Sequence, residues 1–388
     1  MSTFEFGAGV PAFFEANDLR PPSESERRVL GTTVRGGALR QTALVRATGL
    51  AQQSISRIVK GLVSAGALAE SERVLSGKRG QPGISIRVVP EFAYTFGISM
   101  MTDAISVALM DFSGAVVDEA HHDIPAMTRN AVLDSVESII DELIDRNAIA
   151  ETRIFGMGIG ISGRYIGPGA VYNTPSPLDD WALVAIDRLF EERFSMPVWV
   201  ENDGNAAAVG ESLVGVGRTL NNFAYLFIDT LLGGGIIMDH ELMRGCNGNG
   251  GEIGLLLPKN LYQHPSLESL RQTLGEHGVE YPGVSQMIHE FDIDWPGIDE
   301  WILKTRSSFS LIASALAAIL DPEAIVLGGR MPASLARRVI PYINIYNDSR
   351  RGKPRALPRL LVSKAGGDAS AIGAAALPFK EHFFAAAV

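Results

Sequence analysis

Residues 200–211 read VENDGNAAAVGE. An apolar run over residues 197–200 meets three polar residues, a glycine and then an alanine-rich stretch. This predicts a strand that hands over to a helix, with Asp203 at the helix N-terminus. The free backbone N–H groups there favour a negative charge, so a working carboxylate is well placed. The stretch therefore raises two readings of Asp203: a catalytic base, or a residue that grips a ligand.

The rest of the chain gives the setting. At 388 residues it predicts two or three domains. It is 46% hydrophobic and 20% charged, a globular composition. No apolar run in the sequence reaches the roughly 18–20 residues needed to span a bilayer, and no basic segment marks the N-terminus as secretory. The single cysteine, Cys246, excludes an intrachain disulfide, and a cytoplasmic location is expected. Cys246 reads as a small buried residue rather than a reactive thiol.

Net charge is −10, yet residues 27–69 contain no Asp or Glu and carry Arg27, Arg28, Arg35, Arg40, Arg46, Arg57 and Lys60. One acid-free segment on an acidic chain suggests a local polyanion-binding module rather than a merely solvated basic face. Its pattern supports that. SESERRVLGTTVRGG predicts a first helix capped by Ser23 or Ser25. ALRQTALVRATG predicts a second, with Ala43, Leu44 and Ala47 inward and Gly49 ending it. LAQQSISRIVKGLVSAG predicts a third, with Ile55, Ile58, Val59 and Leu62 as its buried stripe. Gln52, Gln53, Ser54, Ser56, Arg57 and Lys60 lie on its polar side, and Gln and Arg can read base edges. A two-stranded ribbon follows, with Lys78 and Arg79 at its tip. This is an α+β winged helix-turn-helix over residues 23–90, after an N-terminal extension of residues 1–22. DNA binding is favoured over a protein-interaction module.

Residues 91–388 read as a two-lobed α/β body with the actin-like, ribonuclease H-like arrangement of sugar kinases. Strand triplets with glycine-rich turns precede helices in both halves, the cleft falls near residues 200–255, and a C-terminal helix returns to the first lobe. The winged helix followed by DFSGAVV, VENDGNAAAVGE, GGGIIMDHELMRGCNGNGGEIG, IVLGG and SAIGAAALP resembles the ROK family of repressors, open reading frames and sugar kinases. The resemblance runs from about residue 23 to the C-terminus. Family repressors carry the DNA-binding arm that family kinases lack.

The resemblance implies a sugar site. Asn202 and Asp203 would bond adjacent hydroxyls, Glu252 and Glu268 would add two carboxylates, and Gly163, the residues 126–130 and Trp181 would border the cleft, Trp181 chiefly as core. Asp203 matches the kinase base, here vestigial. The implied ATP site is degraded. In GISMMTD, Ser99 stands at the family's aspartate, and Met101 and Thr102 stand at glycines that let the backbone approach phosphate. In DTLLGGG, Asp229 and Leu231 replace two more, and Asp229 would repel phosphate. Catalysis of phosphoryl transfer depends on those groups, so no enzyme activity is expected.

The family's structural zinc site is also degraded. Leu255 replaces its histidine, no cysteine lies in LLLPKNLYQHPSLESL, and His264 reads as a surface loop residue, so no metal and no cofactor are expected. Leu255 would bring buried apolar surface to the sugar pocket and alter ligand choice. Gln81 replaces a family wing-tip arginine.

The expected function is a transcriptional regulator, usually a repressor in this family, of carbohydrate metabolism. Its expected partners are operator DNA, a sugar or sugar derivative, and further copies of itself as homodimer or homotetramer, with no membrane. The alternatives are an ATP-dependent sugar kinase with a DNA-binding arm, and a regulator with an empty pocket that answers to a protein partner.

Overall fold

The computed structural model describes residues 10–71, 84–167, 169–258, 260–347 and 351–385. The ribbon tip with Lys78, Arg79 and Gln81 lies outside them.

A short helix α1 (Val10–Ala16) precedes three helices: α2 (Glu24–Gly36), α3 (Gln41–Thr48) and α4 (Gln52–Ser64). Strands β1 (Leu39–Arg40), β2 (Leu68–Ser71) and β3 (Ser85–Val88) form an antiparallel sheet in the order β1-β3-β2. Ser23 caps α2 in a reciprocal capping box with Glu26. The Glu26 carboxyl also takes Arg20 Nη2 at 2.6 Å; that bond above all pulls its pKa down to about 2. The second helix begins later than the sequence pattern suggests, because Leu39 and Arg40 pair with β3 instead. Ala47 is exposed, and Leu44 and Thr48 hold the buried face of α3. Thr48 can sit there because its hydroxyl bonds Leu44 O at 2.7 Å. In α4 the buried residues are Ile55, Ile58, Val59 and Leu62.

The first lobe contains β4 (Tyr94–Met100), β5 (Ala104–Asp111), β6 (Val116–Asp123), α5 (Arg129–Asn147), β7 (Ile154–Ile161), the small hairpin β8 (Arg164–Gly167) and β9 (Val171–Asn173), α6 (Ile186–Phe194) and β10 (Val198–Asn202). Helix α7 (Asp203–Val214) leads into the second lobe. That lobe holds β11 (Phe223–Ile228), β12 (Leu232–Met238), β13 (Glu241–Leu242), α8 (Leu267–Glu276), α9 (Val284–His289), α10 (Ile298–Ile319), β14 (Ala324–Gly329), α11 (Ala333–Val339) and β15 (Arg359–Val362), and α12 (Ala369–His382) returns to the first lobe. The sheets run β10-β7-β4-β5-β6 and β13-β12-β11-β14-β15. Each is an antiparallel triplet extended by two parallel strands, so the lobes repeat one topology.

Helix α10, at 22 residues, is long and apolar enough by composition to cross a membrane, contrary to the expectation that no run was. Its Trp301, Phe309, Ile312 and Leu316 are buried in the second lobe's core with Leu270 and Leu327. An aromatic hub joins α1, α12 and the first lobe. Phe13 lies 5.3 Å from Phe155, Phe155 4.9 Å from Phe383, and Phe383 5.1 Å from Phe112. The three-helix module shares this core through Val29 and Leu30. Module and lobe are therefore continuous in packing.

Candidate functional site: the interlobe cleft

Asn202 ends β10 and caps α7, its side-chain oxygen accepting from Gly204 N at 2.9 Å and Asn205 N at 3.1 Å. Its Nδ2 donates to Gly163 O at 3.0 Å, which binds the strand end to the loop after β7. Gly163 has φ +150°, and a Cβ there would stand 2.9 Å from Asn173 O. Ser162 donates a short hydrogen bond to Asp203, and Gly204 N donates to the other carboxylate oxygen at 2.8 Å. Burial raises the Asp203 pKa to about 6; Ser162 opposes the shift, and the nearby Asp229 and Glu252 add to it.

Gly163, Asn202 and Asp203 are thus brought together, with Glu252 near enough to act on Asp203. Glu252 is half-buried, and burial raises its carboxyl too. Glu268 differs. Its carboxylate takes Arg271 Nε and Nη2, both at 2.8 Å, and Gln272 at 2.8 Å, and the Arg271 bond lowers its pKa. Its neighbour ties this helix start to the cleft wall, Leu267 N donating to Asp229 O at 2.7 Å. Leu255 is 69% exposed instead of buried. The short helical turn after Glu252 sends Ile253 inward and leaves Leu255 facing out. Cys246 is likewise exposed, because the loop that carries it lies outside the sheet. Trp181 is buried and donates to Met127 O at 2.8 Å, a core role. His264 bonds Leu257 O at 2.9 Å. Among the described residues no group of three or more His, Cys, Asp or Glu could hold a metal ion.

The corner beside Asp229 is filled by a polar network. Asp229, expected to stand as a charge that repels phosphate, is instead paired with Arg330, directly after β14. Arg330 Nε meets Asp229 Oδ1 at 2.6 Å, and its Nη2 meets Thr230 Oγ1 at 3.1 Å. Across the cleft its Nη1 reaches Asp103 Oδ1 at 3.1 Å, and Thr102 and Thr230 pair at 3.1 Å. Burial pulls the Arg330 pKa down, but Asp229 and Asp103 more than reverse that and raise it. Met101 is buried. Gly233, Gly234 and Gly235 lie in β12, not in a turn. A Cβ on Gly204 would meet the Gly234 backbone at 2.7 Å, so this strand is glycine-rich because α7 starts against it.

Ser162, Glu201, Arg244 and Arg330 escaped the sequence reading. Ser162 adjoins Gly163, and Arg330 follows the glycine pair of IVLGG. Nothing local links Arg330 to residues 103 and 229.

Residues 95–272 match the model of the ROK family. The chain carries a ROK family domain. It is 26% identical over 230 residues to the xylose repressor of Bacillus spizizenii, 59% of each chain. A ROK family transcriptional regulator, described as a homologue of the Escherichia coli Mlc protein, superposes with a TM-score of 0.60 at 19% identity, covering 95% of this chain and 96% of that one. A ROK family glucokinase from Streptomyces griseus, solved with glucose and AMPPNP, gives 0.56 at 23% identity, over 74% and 99%. At these identities the structural likeness is one of fold. The body is an actin-like, two-lobed α/β fold, as its sequence predicts, and the chain is similar both to repressors and to sugar kinases.

Proposed function

We propose that this ROK protein is a DNA-binding transcriptional regulator of carbohydrate metabolism, a repressor in the first instance, that senses a sugar or sugar derivative in a kinase-like cleft. One observation carries the reading. The corner where a kinase would hold phosphate is filled by Arg330, Asp229 and Asp103, while Asn202 and Asp203 stay side by side at the strand-to-helix turn, tied to Gly163 and Ser162. This supports a cleft that grips a ligand without transferring a phosphoryl group. Gln52, Gln53, Ser56, Arg57 and Lys60 lie exposed on α4, and Ser54 is partly exposed. We assign these six to the DNA interface, with Lys78 and Arg79 on the wing. Paired half-sites would need a homodimer or homotetramer. A cytoplasmic location and the absence of a cofactor belong to the same reading.

The second reading, a sugar kinase with a DNA-binding arm, is favoured by the raised pKa of Asp203, which suits a general base. Two assays separate the readings. In fluorescence anisotropy at low salt, the protein is expected to bind DNA from upstream of its own gene. Lys60→Ala should weaken binding uniformly across sequences and lower the salt slope by about 1. Failure to bind that DNA would remove the regulator reading. Sugar phosphorylation from ATP that disappears in Asp203→Asn would establish the kinase. A thermal-shift panel of monosaccharides tests the sensor, since a ligand of the folded state stabilises it.

A further inference from the structure

Among the described residues, a line of polar contacts from the cleft toward the DNA-binding module meets at one side chain. Arg244 sits in the loop that carries Glu252, and its carbonyl accepts from Gly250 N at 2.7 Å. Its Nε donates to Glu201 Oε2 at 2.7 Å. Glu201 is buried, and its other oxygen accepts from Asn202 N at 3.0 Å and from Asn205 Nδ2 at 3.1 Å. The Arg244 Nη2 reaches Glu381 Oε1 at 3.2 Å, at the end of α12. There the carbonyls of Glu381 and Lys380 accept from Arg27 Nη2 of α2, at 2.7 and 3.2 Å. Asn205 is 2% exposed, and its Oδ1 has no partner among the described residues. The Gly251 backbone lies beside it, so that a Cβ there would stand 3.0 Å away. An orphaned buried oxygen gains from any shift of the 244–252 loop that brings it a donor.

We infer that Arg244 is the positioning residue through which the cleft acts on the DNA-binding module, by way of Glu201 and Asn205 on one side and Glu381 and Arg27 on the other. The inference rests on the reading of the cleft as a sensor. Arg244 is suited to the task because a guanidinium holds two carboxylates in fixed directions, whereas an ammonium holds a point. A movement of the Glu252 loop shifts Arg244 and pulls on Glu381, and α2 follows through Arg27. The competing route is direct packing of α7 on α12.

Hydrogen exchange on the full-length chain, without sugar or DNA, separates the two routes. Asn205→Ala loosens the cleft end by releasing Glu201. It is expected to speed exchange about threefold or more in residues 203–214 and also in residues 24–36. With Arg244→Lys or Glu381→Ala added, the effect on 203–214 should persist and the increment in 24–36 should vanish. Glu381 is partly exposed, so Glu381→Ala decides the matter if Arg244→Lys does not fold. Asn205→Ala that leaves 24–36 unchanged overturns the inference. So does an increment that survives both second substitutions, which would assign transmission to α7–α12 packing. A chain that binds no sugar yet transmits the Asn205 perturbation would retract the sensor reading and leave this role standing. A chain that binds sugar but does not transmit it would do the reverse.

Discussion

Asp203 carries a cost. Its pKa rises from the ordinary 3.8 to about 6 on folding, so the native state holds a proton that the unfolded chain has released between those values. Its contribution to stability is present below about pH 4 and is lost as pH rises through 6. Asp203→Asn removes this dependence. The variant is expected to melt higher than the wild type at pH 8 and to converge with it near pH 4; equal pH profiles for the two proteins would refute the assignment. Arg330 shows the opposite dependence on partners. Arg330→Met leaves buried Asp229 and half-buried Asp103 without a cation and is expected to cost about 3–5 kcal/mol in urea unfolding. Adding Asp229→Asn should restore part of it. No restoration would mean that the guanidinium matters for packing alone.

At the scale of elements, the strand-to-helix turn at Asn202 was legible from VENDGNAAAVGE, because local hydrogen bonds make it: Asn202 caps its own helix. The stripe of α4 was legible for the same kind of reason, since a helical period is local. The start of α3 was not. Leu39 and Arg40 are taken into a sheet by residues 85 and 86, which a local pattern cannot anticipate. The glycines of β12 looked like a turn, and the partner that requires them, α7, is likewise non-local. The crossing of α7 and α12 is tighter still. A Cβ on Gly373 would lie 1.7 Å from Ala206 O, a backbone atom that cannot swing aside. Gly373→Ala is therefore expected to destabilise by roughly 1–3 kcal/mol or more, read as a lower urea midpoint with unchanged slope.

Across the whole molecule, the three-helix module is not a bead on a string. Arg27 is bonded to the end of α12, Ala385 N donates to Arg27 O at 3.2 Å, and the phenylalanine hub closes behind them. Phe383 touches Phe13, Phe92, Phe112 and Phe155. Phe383→Ala should cost about 3–5 kcal/mol and uncouple the module from the body. Calorimetry is expected to resolve an additional, earlier transition in that variant. One cooperative transition at a lower temperature would show instead that module and lobe unfold together even without the hub.

The sequence alone determined the α/β class, the ROK resemblance, and the strand-to-helix turn at Asn202 and Asp203. Each is written in contiguous residues, in periods and turns that act over a few positions. Tertiary structure decided what occupies the corner between Asp229 and Asp103. It carried Arg330 more than 100 positions along the chain from Asp229 into that corner. It turned Leu255 outward, spent Glu268 on Arg271, and set Arg244 between Glu201 and Glu381. Charges choose partners through space, and a low-dielectric interior lets distant residues hold one another as strongly as neighbours do.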